Sequence, residues 1–184
     1  MPDRNMVQTR FVNIINQVTD TGDDAWSKYS CGICVLKMLM VFRKPELQNV
    51  PVKTLIDQAL ERSGYIDKVG WKHQILIDVA ALYGVPMGFQ KEFFNTPEKK
   101  KGGLKIINEQ LSRIKSPVAV SVLKEFNILN SAHLVVVEGL KKIGPFIIGY
   151  RIADPYPGKR GNRYTVSKKE FLAGWRGGMI WLKS

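Results

Sequence analysis

Three residues of this sequence have side chains that together can turn a thiol into a nucleophile: Cys31, His133 and Asp154. Cys31 opens a segment with helical spacing of apolar residues, and the positive end of a helix dipole favours the thiolate. A neighbouring protonated histidine lowers the thiol pKa further, giving an ion pair that attacks amide bonds at neutral pH. A carboxylate beside that histidine holds the imidazole in one tautomer and stabilises its cation. The three residue types therefore predict nucleophilic catalysis through Cys31.

The spacing of His133 and Asp154 predicts that they lie side by side. His133 begins an apolar, β-branched run, and Asp154 directly follows a second run, with a turn of glycine and proline between them. Paired positions in an antiparallel hairpin have a constant sum, and pairing 133 with 154 centres the turn on residues 143–144, where the composition also places it. We therefore predict direct cross-strand neighbours with Cβ atoms about 5 Å apart. A slip of one residue would place the two side chains on opposite faces.

The elements that must position these residues form an α+β pattern, with helices first and strands second. Apolar periodicity predicts helices over residues 31–43, 52–62, 72–83, 104–114 and 168–175, and strands over 117–122, 134–138, 146–153, 163–166 and 179–182. Ser30 is the expected N-cap of the first helix, and the segment 97–103 is expected to be a linker. We predict one domain over residues 1–184, with a helical half to about residue 115 and a sheet half from about residue 116.

Length and composition agree with a single domain, since the chain has 184 residues, of which 45% are hydrophobic. No segment approaches the run of about 20 apolar residues that spans a membrane. The N-terminus also lacks the charged and then apolar layout of a secretory signal. We therefore expect a cytoplasmic protein, with its oligomeric state left open.

The net charge is +12, and much of the excess lies in short lysine- and arginine-rich runs. These runs are scattered along the chain, which favours solvated turns and helix ends. Binding to nucleic acid is the alternative, because clustered cations attract phosphates. No motif of a nucleic-acid-binding protein accompanies the runs, so we expect no nucleic-acid partner.

Cys31 and Cys34 form the motif Cys-Gly-Ile-Cys, which allows other interpretations. Cys34, one turn further along the apolar face, is interpreted as a buried hydrophobe. A C-x-x-C motif at a helix start is also typical of thioredoxin-like redox proteins, but there it follows an apolar strand, whereas a polar stretch precedes Cys31. A zinc site of both cysteines with His73 and His133 would need long, irregular spacings. His73 is interpreted as a partly exposed helix residue, and we expect neither a metal nor an organic cofactor.

Four short segments carry a resemblance to a known family: Cys31-Gly32 with the helical run 36–39, the strand 132–139, Ala153-Asp154-Pro155, and the closing set Phe171, Trp175, Gly177 and Ile180. Together they resemble the C39-like peptidases, relatives of papain that include the enzymes trimming double-glycine leaders from exported peptides. The resemblance runs from about residue 26 to the C-terminus, and it rests on the order and spacing of the segments.

The resemblance implies a papain-like cysteine peptidase fold, in which the nucleophile helix packs on an antiparallel sheet. It also implies a peptide or protein substrate, cleaved through an acyl-enzyme. Carried over residue by residue, Cys31 is the nucleophile, His133 the general base and acid, and Asp154 the group that orients His133. The chain is therefore predicted to be a cysteine peptidase, in agreement with the hairpin argument.

The chain departs from the family where papain-like enzymes usually place a glutamine, about half a dozen residues before the cysteine, to help form the oxyanion hole. The six residues before Cys31 contain no glutamine, and Gln17 is too distant in sequence to assign. The Trp26 N–H and the Ser27 hydroxyl are the candidate donors, together with the Cys31 backbone N–H. A missing donor lowers turnover by about 100- to 1,000-fold. Two alternatives follow: a weakly active or inactive domain that binds a peptide, and an acyl transferase on the same scaffold.

Substrate preference is only weakly marked in the sequence. Asp20, Asp23 and Asp24 lie shortly before Cys31; a solvated loop is the favoured interpretation, with a preference for a basic substrate residue as the alternative. Three tryptophans are interpreted as core or groove residues: Trp71, Trp175 and Trp181.

Overall fold

The computed structural model describes residues 6–8, 11–90 and 96–183. Five α-helices are described: α1 (Cys31–Arg43), α2 (Val52–Glu61), α3 (His73–Leu82), α4 (Pro97–Glu109) and α5 (Lys168–Gly174). Nine strands are described: β1 (Met6–Gln8), β2 (Tyr65–Ile66), β3 (Gly70–Trp71), β4 (Met87–Gln90), β5 (Val118–Leu123), β6 (Ala132–Ile143), β7 (Phe146–Ala153), β8 (Arg163–Ser167) and β9 (Trp175–Leu182).

Seven of these strands form one antiparallel sheet. Its order is β4-β9-β5-β6-β7-β8, and β1 pairs with β6 beyond the part of β6 that β5 occupies. Strands β2 and β3 form a separate hairpin between α2 and α3. Because β1 and β4 belong to the first half of the chain, the predicted division into a helical half and a sheet half is wrong in that respect. Both strands have four residues or fewer, too short for alternation to be recognised in the sequence.

Helices cover both faces of the sheet. Along β6, Leu134 and Val136 pack in one hydrophobic cluster with α1, α2 and α3, whereas Val135 and Val137 pack in a second with α4 and α5. Because both faces are buried, β6 is a continuous apolar run instead of an alternating one. The predicted α+β fold, with the Cys31 helix packed on an antiparallel sheet, is confirmed. Helix α1 is central, since ten of its 13 residues are buried.

The helix predicted over residues 31–43 is confirmed at both ends, but its N-cap differs from the prediction. Ser30 occupies the N-cap position, yet its side chain accepts no hydrogen bond from the backbone of the first turn. Its Oγ instead accepts from the Cys34 thiol, with 3.8 Å between Sγ and Oγ. The first N–H groups of α1 are therefore left without a side-chain cap, next to Cys31.

Helix α4 begins at Pro97 and not at residue 104, so the predicted linker over 97–103 is wrong. Thr96 is an N-cap whose side chain accepts from the Lys99 backbone N–H, and Pro97 fits the first helical position. The lysine run that suggested a linker is the exposed first part of this helix.

Within the part of the chain that the structure describes, no helix combines the length and the apolar character needed to cross a membrane.

Candidate active site

Cys31 is the first residue of α1 and is partly exposed, at the edge of a groove between the β2–β3 hairpin and the sheet. Trp71 of β3 packs directly on the next residue: a Cβ added to Gly32 would lie 2.9 Å from Trp71 Cδ1. The Trp71 indole N–H also donates to the Tyr29 carbonyl oxygen at 2.6 Å. The glycine after Cys31 is therefore required by the close approach of this tryptophan, which fixes the chain just before the helix.

His133 and Asp154 lie together, as the hairpin argument predicts. Both are buried, with 6% and 2% of their surfaces exposed. His133 Nε2 is 2.7 Å from Asp154 Oδ1, so this nitrogen donates to the carboxylate. The Cys31 thiol lines the same groove as the imidazole and is close enough for each of the two groups to shift the pKa of the other. The structure thus brings Cys31, His133 and Asp154 into one chain of contacts.

The predicted register of the hairpin is wrong by two positions, although the contact forms. The pairing of Val136 with Ala153 places Asp154 opposite Val135, so His133 is its diagonal neighbour. The ladder has two irregularities: Glu138 is an extra residue in β6 and Ile148 an extra residue in β7. Each bulge shifts the register by one residue, in opposite senses, so the two shifts cancel. His133 and Asp154 therefore remain on the same face.

Asp154 is held by more than the histidine. Its Oδ1 also accepts from the Tyr156 backbone N–H at 2.8 Å, and its Oδ2 accepts from the Tyr164 hydroxyl at 2.7 Å. Its own backbone N–H donates to the Asn162 carbonyl oxygen, and the Asn162 side chain donates back to the Asp154 carbonyl oxygen, both at 2.8 Å. These contacts fix the carboxylate's orientation, and through it the orientation of the His133 ring.

The electrostatics of the pair favour a thiolate and an imidazolium. Burial raises the pKa of the Cys31 thiol, but the hydrogen bond and charge of His133, with the backbone N–H groups of Leu134 and Gly32, outweigh burial and lower the pKa. Burial likewise lowers the pKa of His133, whereas its bonds to Asp154 and Cys31 raise that pKa to about 10. Both shifts act in the same sense, so they favour the thiolate and imidazolium over the neutral thiol and imidazole.

The two donors suggested for an oxyanion hole are engaged elsewhere. The Trp26 backbone N–H donates to the Asp23 carbonyl oxygen at 3.1 Å, and the Ser27 hydroxyl donates to the Asp24 carbonyl oxygen at 2.9 Å. The Trp26 ring packs against the β2–β3 hairpin. Both donors are therefore used within the turn before α1, and an oxyanion donor at either position stays a prediction.

Gln17 is the residue that the sequence argument missed. It is buried, with 3% of its surface exposed, although it lies fourteen residues before Cys31. Its backbone N–H donates to the Pro155 carbonyl oxygen and its Nε2 to the Ser27 carbonyl oxygen, both at 2.9 Å. Gln17 is thus tied both to the segment before Cys31 and to the segment after Asp154. The turn-forming composition of residues 18–30 was the available signal that the chain folds back here.

The other interpretations of Cys-Gly-Ile-Cys are not supported. Turns, and not a strand, precede Cys31, and the surrounding sheet is antiparallel, which contradicts the thioredoxin-like arrangement. Cys34 is fully buried in the core, and burial raises its thiol pKa to about 12. Among the described residues, no group of three or more His, Cys, Asp and Glu side chains is arranged to hold a metal ion. His73 is buried at the start of α3 and lines the groove, so the prediction of a partly exposed residue is wrong.

The groove beside Cys31 encloses about 390 Å³. Its aromatic wall consists of Tyr29, Tyr65 and Trp71, the last of which is both a core and a groove residue. Trp175 is buried in the second hydrophobic cluster, and the partly buried Trp181 packs against that cluster. The Cys31 thiol is therefore accessible from a groove that lies between the β2–β3 hairpin and the sheet.

Comparisons with known proteins give a fold and no sequence match. The sequence matches no protein-family model and no curated protein. A C39-like peptidase from Bacillus anthracis superposes with a TM-score of 0.65 at 14% identity, over 97% of this chain and 98% of that one. A double glycine motif protease from an AMS/PCAT transporter, in complex with its leader peptide, gives 0.59 at 17% identity, over 97% and 96%. The peptidase domain of Streptococcus ComA gives 0.59 at 19% identity, over 94% and 98%.

The chain has the fold of the C39-like peptidases. In this C39-like fold, the four segments that carried the resemblance fall in α1, in β6, directly after β7, and across α5 and β9. The sequence order of these segments therefore corresponds to elements of one continuous fold. Because the sequence identities are only 14% to 19%, the similarity to these proteins concerns the fold alone.

Proposed function

We propose that this protein is a cysteine peptidase that hydrolyses a peptide or a related amide bond through an acyl-enzyme. The observation that carries the proposal is the buried contact of His133 with Asp154, 2.7 Å long, beside a Cys31 thiol of lowered pKa at the mouth of a groove. A C39-like fold around these residues supports a hydrolase. One neighbour of similar fold was solved with a leader peptide, which supports a peptide as the substrate class.

In this mechanism the Cys31 thiolate attacks the carbonyl carbon of the scissile amide. The His133 imidazolium then gives the proton on Nδ1 to the leaving nitrogen, the C–N bond breaks, and a thioester on Cys31 remains. Neutral His133 next removes a proton from water, which attacks the thioester and releases the acid and the thiol. Throughout, Nε2 stays bonded to Asp154, which compensates the positive charge each time it forms on the ring.

We assign Gln17 as the side-chain donor of the oxyanion hole, with the backbone N–H of Cys31 as the second donor. An amide nitrogen has two hydrogens, and one Nε2 hydrogen is used by the Ser27 carbonyl oxygen, which leaves the other. The Cys31 N–H lies in the first turn of α1, where no intrahelical acceptor exists.

Replacing Gln17 with alanine is expected to lower kcat by about 100- to 1,000-fold, because one of two donors to the developing oxyanion is lost. The matched control is Ser27→Ala, which keeps the carbonyl that accepts from Gln17 and should change kcat by less than about threefold. Steady-state kinetics of the two variants, each checked for folding by circular dichroism, test the assignment. Full kcat in a folded Gln17→Ala variant would exclude it.

Product analysis tests the proposed function and separates it from its two alternatives. Wild-type protein is incubated with a pooled peptide library, with and without an added amine acceptor, and the products are identified by mass spectrometry. Hydrolysis predicts free carboxyl termini that persist when the amine is present. Products joined to the amine would indicate an acyl transferase instead. Retention of intact peptides without cleavage would indicate an inactive peptide-binding domain.

A further inference from the structure

The groove beside Cys31 is lined by cations without a facing carboxylate. Lys28, Lys68 and Arg176 line it, and no aspartate or glutamate does so among the described residues. The chain as a whole has a net charge of +12, so isolated surface cations are expected in many places. These three cations differ from the others because they line the same groove as the Cys31 thiol.

Two of the cations come from the two elements that border the groove, the β2–β3 hairpin and the sheet. Lys68 is in the β2–β3 turn, whose flanking strands supply Tyr65 and Trp71 of the aromatic wall. Arg176 belongs to β9, and its Nη1 donates to Ser121 Oγ of β5 at 3.4 Å. At Gly178, which also lines the groove, an added Cβ would lie 3.2 Å from Ser121 Cβ and 3.3 Å from His73 Cε1, so the groove lining is closely packed at this point. Each of the two elements that border the groove therefore contributes a positive charge to its lining.

None of the three cations is neutralised within the described part of the chain. No ion pair joins Lys28, Lys68 or Arg176 to a described carboxylate. Asp67, the nearest acidic residue in the turn, is exposed and does not line the groove. The unpaired charges raise the local concentration of anions at the thiol.

The aspartates before Cys31 do not offset this charge. Asp20 accepts from the Asn16 backbone N–H at 2.8 Å, and Asp23 accepts from the Ala25 backbone N–H at 2.9 Å. These carboxylates stabilise their own turns and do not line the groove. The suggested preference for a basic substrate residue therefore has no support at the site.

We propose that the groove selects a substrate with a carboxylate within a few residues of the scissile bond. This inference rests on the proposed function, because it takes the groove at Cys31 as the substrate site. The carboxylate has two sources: the side chain of an aspartate or glutamate, or the C-terminus of the peptide. In either case it would lie between Lys68 and Arg176, beside the aromatic wall.

Two small alkylating reagents test the charge of the groove without a known substrate. Iodoacetate carries a carboxylate and iodoacetamide does not, and each forms a carbon–sulfur bond with the thiolate as iodide leaves. The ratio of their rates at Cys31 cancels any change in the thiol pKa. We expect the rate with iodoacetate divided by the rate with iodoacetamide to exceed the same ratio for free glutathione by on the order of tenfold at about 20 mM NaCl. The ratio should fall at about 500 mM NaCl, because salt screens the charges.

The variant Lys68→Gln with Arg176→Gln should bring the ratio close to that of glutathione. The matched control is Lys142→Gln, which removes one charge from β6 about 30 Å along the strand from His133 and should leave the ratio unchanged. A wild-type ratio equal to that of glutathione at low salt would overturn the groove proposal. Slow reaction with both reagents would contradict the reactive thiol instead, so the two failures are distinguishable.

Matched peptides then identify the source of the carboxylate. Glutamate is exchanged for glutamine or lysine at each position of a cleaved peptide, with a free or an amidated C-terminus. A kcat/KM about tenfold higher with glutamate than with glutamine supports a side-chain carboxylate. A kcat/KM about tenfold lower after amidation of the C-terminus supports the terminal carboxylate. A preference for lysine, or no preference in either series, would overturn the proposal.

Discussion

Replacing Cys31 with alanine is expected to abolish peptide cleavage, lowering kcat by about a million-fold, as loss of a triad nucleophile does in other hydrolases. The physical reason is that no acyl-enzyme forms without the thiolate, and His133 is left with only water to activate. The measurement is cleavage of the pooled peptide library by mass spectrometry. The fold should persist, because Cys31 is the partly exposed first residue of α1 and not a member of the buried core.

Cys34→Ala is the matched control for this experiment. Cys34 has the same side chain three residues further along α1, but it is fully buried and its thiol pKa is raised to about 12, so it supplies no thiolate. Its replacement should cost on the order of 1 kcal/mol of stability through a small cavity and leave kcat within a few-fold of wild type. Unchanged cleavage by Cys31→Ala, or equal losses in the two variants, would refute the assignment of Cys31.

Replacing Glu138 with alanine is expected to lower the free energy of unfolding by about 2–4 kcal/mol. Glu138 is fully buried, and its carboxylate accepts from Arg163 Nε at 2.7 Å and from the Val12 backbone N–H at 3.2 Å. Arg151 Nε lies 3.4 Å from it. Removal leaves two arginines without their partner. The expected loss of unfolding free energy is smaller than for a fully buried ion pair, because both arginine side chains are about a third exposed.

Glu109→Ala is the control for Glu138→Ala, since Glu109, the last residue of α4, forms a surface pair with Arg113 one turn further along the chain. An exposed pair of this kind contributes less than about 1 kcal/mol. Urea denaturation of the two variants measures the difference. Because Glu138 is also the extra residue of the β6 bulge, we expect the folded fraction of Glu138→Ala to show slower alkylation of Cys31. Equal stabilities of the two variants would contradict the role given to Glu138.

Much of the candidate site could be predicted from the sequence because its parts are local. Helix α1 begins at Cys31, as the apolar spacing predicts, and the Gly144-Pro145 turn marks the β6–β7 hairpin unmistakably. The two histidines of the chain left few choices for a base near that hairpin. Residue type and element boundaries were therefore sufficient to bring His133 close to Asp154.

The details that were missed depend on contacts between distant parts of the chain. The register differs by two positions because Ile143 pairs with Phe146, so the turn is centred on residues 144–145 and not on 143–144. The bulges at Glu138 and Ile148 leave this offset unchanged because their shifts cancel, and the first is occupied by a carboxylate whose partners come from three other segments. Gln17 was set aside on its sequence distance, whereas its burial depends on hydrogen bonds to Ser27 and Pro155. Hydrophobic periodicity carries no information on either contact.

The pH dependence of Cys31 alkylation by iodoacetamide, in wild type and in His133→Ala, tests the central claim most directly. The charge and hydrogen bond of His133 lower the thiol pKa against the effect of burial. Wild type should therefore react rapidly well below the pKa of an ordinary thiol, about 8.5. Without His133 the effect of burial is less opposed, and the profile should move to higher pH by more than one unit. Mass spectrometry assigns the label to Cys31 or Cys34. A wild-type profile with an ordinary thiol pKa, unchanged in His133→Ala, would contradict the thiolate–imidazolium pair and with it the proposed peptidase mechanism.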